Sequence, residues 1–174
     1  NAVFDGTSCV MLSGETASGR YPLEALQTMV STVEAAEGAI DYWGRFRENN
    51  LLPGISSIND AITHSCCLTA MDLGASAILA ATKSGYTAKV ISRFRPACPI
   101  VAQTRRQLAI SWGVHPYLTG EVDSTDRLFS MAVDVARREG AVACGDTVVI
   151  TAGVPIGISG TTNLIKAQVV GERA

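Results

Sequence analysis

The sequence holds 174 residues, 47% of them apolar and 17% charged, with a formal net charge of −2. That length has room for one ordinary domain and a short extra piece, and the near-neutral balance supplies no basic field for nucleic acid or an anionic membrane. No apolar run approaches the roughly 18 residues of a membrane-crossing helix and no signal peptide opens the chain, so a cytoplasmic location is expected.

Five cysteines (Cys9, Cys66, Cys67, Cys98, Cys144) form no Cys-x-x-Cys pair, so they signal neither a disulfide framework nor a zinc site and read as free thiols, mostly buried. The charged fraction lies below the roughly 25% usual for globular chains, which points to extra buried surface, such as a subunit contact. With Asn1 in place of an initiator methionine, the sequence reads as a piece of something longer.

Thr7 to Leu12 is a short apolar run that predicts a strand. Ser13-Gly14-Glu15-Thr16 leads on to Pro22, which suits a first helical turn because its missing N–H would have no partner there. Leu23, Leu26, Val30 and Val33 then recur on one helical face, and Gly38 supplies the stop. One strand and one helix cannot close a core, so residues 1–40 are half of a repeating unit. The mixed stretch 41–56, broken by Leu51-Leu52-Pro53-Gly54, reads as a linker, and 57–174 as a second domain.

Ser57 with Asp60 predicts a helix cap, followed by a buried stripe of Ile58, Ile62, Cys66, Ala70 and Leu73. His64, Leu68 and Met71 form another apolar face, suited either to a subunit contact or to burial on two sides of one monomer. Element types then alternate: strand Ala75–Ala81, helix Thr87–Phe94, strand Pro99–Gln103, helix Arg106–Trp112, strand His115–Thr119, and a helix capped by Asp123 or Ser124 and closed by Gly140. Asp146–Thr151 is a continuous apolar strand. In Asn163–Val170, Ile165, Ala167 and Val169 alternate with Lys166 and Gln168, as in a half-exposed edge strand. The fold class expected is α/β: a mostly parallel twisted sheet of about five strands, helices on both faces and an edge C-terminal strand.

Ligands of such sheets bind beyond the carboxyl ends of the strands. Thr82-Lys83-Ser84-Gly85-Tyr86-Thr87 sets three aliphatic hydroxyls, an ammonium and a glycine immediately before a helix, where free N–H groups attract phosphate. The same hydroxyls also suit simple helix capping. A second loop, Gly153 to Thr162, is long and glycine-rich enough to fold over the first. Neither histidine has a catalytic or metal-ligating constellation around it in the sequence, and Glu15 stands alone as a carboxylate after the first strand.

The run Val10-Met11-Leu12-Ser13-Gly14-Glu15-Thr16-Ala17, with Gly19 and Tyr21-Pro22, resembles the last barrel strand and helix of the pyruvate kinase family. The likeness continues through Thr82–Thr87, Arg93-x-Arg95-Pro96 and Ser159-Gly160-Thr161-Thr162-Asn163, and so covers essentially the whole chain. It implies an enzyme that moves phosphate from phosphoenolpyruvate to ADP with a divalent metal, magnesium, and potassium, in a (β/α)8 barrel whose catalytic groups lie upstream of Asn1. No catalytic residue and no cofactor site are then expected within this chain. Ser18 stands where many relatives carry lysine.

For residues 57–174 the resemblance implies a regulatory domain. A phosphorylated small molecule (a sugar phosphate or AMP) would be held by Thr82, Lys83, Ser84, Gly85, Tyr86 and Thr87, by Arg127, and by Gly157, Ser159, Gly160 and Thr161. Homo-oligomers would form through the first helix of that domain, with His64, Leu68 and Met71, and through the last strand, with Ile165, Ala167 and Val169.

Overall fold

The structure, a computed structural model, describes residues 1–49, 57–103, 106–118, 120, 122–156, 158 and 160–171. It divides into two compact units, Asn1–Asp41 and Tyr42–Ala174. The first contains α1 (Gly14–Ala17) and α2 (Pro22–Gly38), with Pro22 in the first turn as its missing N–H predicts. Its apolar stripe is uncovered, Leu23 being 62% exposed, and no residue of the unit is fully buried. Thr7–Leu12 has no strand ladder, contrary to expectation, because the unit offers no second strand among its described residues to accept its hydrogen bonds.

The second unit is a five-stranded sheet in the order β3-β2-β1-β4-β5, formed by β1 (Ala77–Ala81), β2 (Ile100–Gln103), β3 (Val114–Tyr117), β4 (Thr147–Gly153) and β5 (Thr162–Val169). Four strands run parallel and β5 pairs antiparallel with β4 along seven residue pairs, from Thr147 opposite Val169 to Gly153 opposite Thr162. Alternate residues of the central strands enter two cores. Ile78, Ala80, Ile100, Ala102 and Val149 meet α4 (Ile58–Asp72) and α5 (Tyr86–Arg93) on one face. Ala77, Leu79, Val101, Val148 and Ile150 meet α6 (Thr125–Arg138) on the other. Burial on both faces is why these strands read as unbroken apolar runs. Ile78, Leu79, Ile100 and Ile150 are each under 2% exposed, and such burial is worth about 1.5–3 kcal/mol per side chain.

The helix caps follow the sequence. Ser57 Oγ accepts from the Asp60 N–H at 3.1 Å, and Ser124 Oγ from the Arg127 N–H at 3.4 Å. Three expectations need correction. The buried face of α4 is Asn59, Thr63, Cys66, Cys67 and Ala70, whereas Ile58 and Leu73 are 75% and 49% exposed. The sheet takes a face about a quarter-turn round from the apolar stripe, and Thr63 is tolerated there because its hydroxyl donates back to the Asn59 carbonyl at 2.7 Å.

The stretch read as a linker is helical over α3 (Tyr42–Asn49), which folds because Phe46, 3% exposed, enters the first core beside Trp43, His64 and Phe94. The helix expected over Arg106–Trp112 is instead a short 3-10 helix, Arg106–Ile110. No helix among the described residues is long and apolar enough to cross a membrane.

Candidate functional site

Parallel pairing brings the carboxyl ends of β1 to β4 to one rim, and the connections place the helix starts there too. Four residues separate the end of β1 from the start of α5. α4 enters β1 through a short turn at Gly74, so it runs opposite to the strand and also begins at this rim. Tyr86, Leu118 and Ile158, in the segments that follow β1, β3 and β4, are all more than half exposed.

The β1–α5 turn is built by its own hydroxyls. The Gly85 N–H donates to Thr82 Oγ1 at 3.1 Å and the Tyr86 N–H to Ser84 Oγ at 3.3 Å. Each hydroxyl uses a lone pair on the backbone and keeps its own hydrogen to donate outward. Gly85 takes φ +82°, a backbone conformation that favours glycine, and a Cβ there would stand 3.0 Å from Leu108 Cδ1, so that side chain would have to give way. Lys83 and Ser84 are exposed, and Thr82 is half-buried. The result is a polar hook of outward O–H groups, one ammonium and a helix start.

Thr87 is placed differently. It is 5% exposed and its Oγ1 lies 2.5 Å from Oγ1 of Thr162, the first residue of β5. This contact ties the first loop to the stem of the second. The stem is further fixed by Asn163, whose Nδ2 donates to the Val154 carbonyl at 2.7 Å and whose Oδ1 accepts from the Val154 N–H at 3.0 Å. Thr161 Oγ1 donates to the Ile158 carbonyl, and Gly153 is needed because a Cβ would stand 2.6 Å from Thr161 Oγ1. Gly160 is exposed with φ +85°. Gly157 and Ser159 lie outside the described residues. Sequence reasoning passed over Thr162 and Asn163 as site residues; their signal was their position at the end of the glycine-rich loop.

Arg127 stands at the start of α6, 72% exposed, with its Nη1 3.4 Å from Asp123 Oδ1. Of the residues expected at a subunit contact, His64 packs against the rings of Phe46 and Phe94, with centroids 5.3 and 5.4 Å away, and Met71 packs against the first core. Leu68 stays exposed on the outer side of α4. On β5, Ile165 leans on the first core, Ala167 is exposed and Val169 half-buried. Lys166, expected to face solvent, places Nζ 5.0 Å from the ring centre of Phe129 on the opposite face. Both faces of β5 are therefore partly covered.

Cys66, Cys67 and Cys98 are buried and Cys9 and Cys144 exposed. Burial pushes the Cys66 thiol up to about 12 and the Cys98 thiol up to about 11, which makes both inert at neutral pH. Glu15 Oε2 accepts from the Ser13 N–H at 3.0 Å. Backbone N–H groups, its own first and then that of Ser13, hold its carboxyl below the usual range, as befits a residue closing a helix start. Among the described residues no three of His, Cys, Asp and Glu converge as a metal ion requires.

Comparison with known proteins decides the family. The family described as pyruvate kinase, alpha/beta domain, matches residues 60–168, and that described as pyruvate kinase, barrel domain, matches residues 1–26. The chain belongs to the pyruvate kinase family. A pyruvate kinase of Clostridium acetobutylicum is 46% identical over 98% of this chain and 37% of its own length. That of Sporosarcina psychrophila is 42% identical over 99% of this chain and 30% of its own.

A crystal structure of a pyruvate kinase from Cryptosporidium parvum superposes with a TM-score of 0.86 at 33% identity, covering 97% of this chain and 34% of that one. The chain thus spans about a third of the length of these pyruvate kinases. The alpha/beta match runs from the first turns of α4 to within two residues of the end of β5, so the polar hook and the stem of the second loop both lie inside it.

Proposed function

We propose that residues 57–174 are the effector-binding and subunit-contact domain of a cytoplasmic pyruvate kinase, and that residues 1–40 are the last strand and helix of its catalytic barrel. The whole enzyme would transfer a phosphoryl group from phosphoenolpyruvate to ADP. The ligand of this domain is a phosphorylated small molecule held at the rim by Thr82, Lys83, Ser84, Gly85 and the start of α5, with Arg127 and the Gly157–Thr161 loop taking its remainder.

One observation carries this reading: the Thr82 and Ser84 hydroxyls both accept backbone hydrogens, which leaves their own O–H groups for an acceptor from outside. Hydrogen bonds to a charged partner contribute about 1.5–3 kcal/mol each, so a few of them support micromolar affinity after ordering costs. Copies of the chain would meet along the free edge of β5 and the outer side of α4, where Leu68 is exposed.

Calorimetric titration with fructose 1,6-bisphosphate, ribose 5-phosphate, glucose 6-phosphate and AMP tests the site. At least one should bind, and the Thr82→Ala/Ser84→Ala double variant should lose about a hundredfold in affinity. Silence from all four would leave a domain that only assembles subunits. The chain alone should form no pyruvate from phosphoenolpyruvate and ADP, because the catalytic carboxylates and lysine implied by the family lie outside it.

A further inference from the structure

The Thr87–Thr162 contact joins two buried hydroxyls 75 residues apart in sequence. Two hydroxyls carry two hydrogens, and only one can lie between the oxygens. If Thr87 donates, its hydrogen is consumed on Thr162 and its oxygen has only lone pairs left for an incoming group, which opposes an anion. If Thr162 donates, Thr87 accepts, and the Thr87 hydrogen is free to leave the pair. The charged oxygens of a phosphate only accept, so their arrival selects the second arrangement.

Resting on the phosphate-binding reading above, we propose that Thr162 is a positioning residue of that site. It does not touch the anion; it donates to Thr87 and thereby aims the Thr87 O–H at the phosphate. The backbone around Thr162 suits this task, since it is paired with Gly153 and flanked by the two-pronged Asn163–Val154 contact. The donor arrives on a pre-set strand, so little ordering is needed when the ligand binds.

The test is an NMR titration of the whole chain with inorganic phosphate, following the Gly85 and Thr87 amides. Thr162→Val keeps the shape and removes the donor, and its Kd should rise roughly three- to tenfold, the range expected for one hydrogen bond. Thr162→Ser should restore affinity to within about twofold of the unaltered chain. Thr87→Val should weaken binding by a similar factor, and adding Thr162→Val to it should cost nothing more, because the second residue acts only through the first.

Unchanged affinity in Thr162→Val or in Thr87→Val overturns the proposal, as does failure of serine to rescue or an additive double variant, and in each case the phosphate site survives. If the unaltered chain does not titrate, the site itself falls and this inference with it. Thr162→Ala replaces Thr162→Val if the latter does not fold.

Discussion

Replacing Gly85 by alanine tests the loop through stability alone, before any ligand is added. The backbone there is left-handed, with φ +82° and ψ −2°, a conformation that costs an L-residue about 1–2 kcal/mol. The new methyl would also stand 3.0 Å from Leu108 Cδ1 and 3.1 Å from Cδ2, and Leu108 is 2% exposed with little room to yield. Moderate overpacking of this kind adds about 1 kcal/mol, so a total near 2–3 kcal/mol is expected.

Gly140→Ala isolates the two causes. Gly140 also has a positive φ, +73°, but nothing lies within 4 Å of its Cβ direction, so only the conformational cost of about 1–2 kcal/mol applies. At about 4 °C per kcal/mol for a unit of this size, calorimetric melting should place Gly85→Ala roughly 8–12 °C below the unaltered chain and clearly below Gly140→Ala. If Gly85→Ala melts with the unaltered chain, the left-handed turn and its seat on Leu108 are both wrong. Equal losses in the two variants would refute the Leu108 contact alone.

Three further outcomes follow from burial and exposure. Truncating Phe46 to alanine empties the ring cluster of Trp43, His64 and Phe94, and should cost about 3–5 kcal/mol in urea unfolding followed by tryptophan fluorescence. A loss below about 1 kcal/mol would show that α3 is not part of the domain. The buried thiols make stability fall at high pH. Their folded values are raised above the ordinary 9.0, so the stabilisation is complete below pH 9 and is lost as pH climbs toward about 11 for Cys98 and about 12 for Cys66. The slope should be about 1.4 kcal/mol per pH unit for each thiol. A thiol reagent at pH 8 should label Cys9 and Cys144 and spare the other three until urea unfolds the chain.

The alternation of strands and helices was legible because the parallel strands are buried on both faces and their runs are apolar throughout, as in Ala77–Ala81. The Ser57 cap was legible, and the second was narrowed to Asp123 or Ser124, because a hydroxyl or carboxylate three residues before a helical N–H is a local signal. Strand order was not legible: nothing local tells β1 to sit between β2 and β4. α3 was missed because its buried side is two aromatic residues, Trp43 and Phe46, set among charges.

The face of α4 was misphased because leucine and isoleucine outrank Thr63 and Asn59 in any apolar count, whereas the side that is buried carries Asn59, Thr63, Cys66, Cys67 and Ala70. At the rim, the composition of Thr82–Thr87 marked an anion hook. The bond from Thr87 to Thr162 joins residues brought together only by the fold, which sequence spacing cannot show.

The two borders of the sheet are unlike. β3 is four residues long and Pro116 leaves it one N–H short, while β5 extends for eight residues with its outer side unmatched. A second copy docking there about a two-fold axis would consume the one extended sheet edge among the described residues of each molecule. What remained at either end would be a stub bearing proline, so the joined sheet would have no extended edge by which to run on into a fibre.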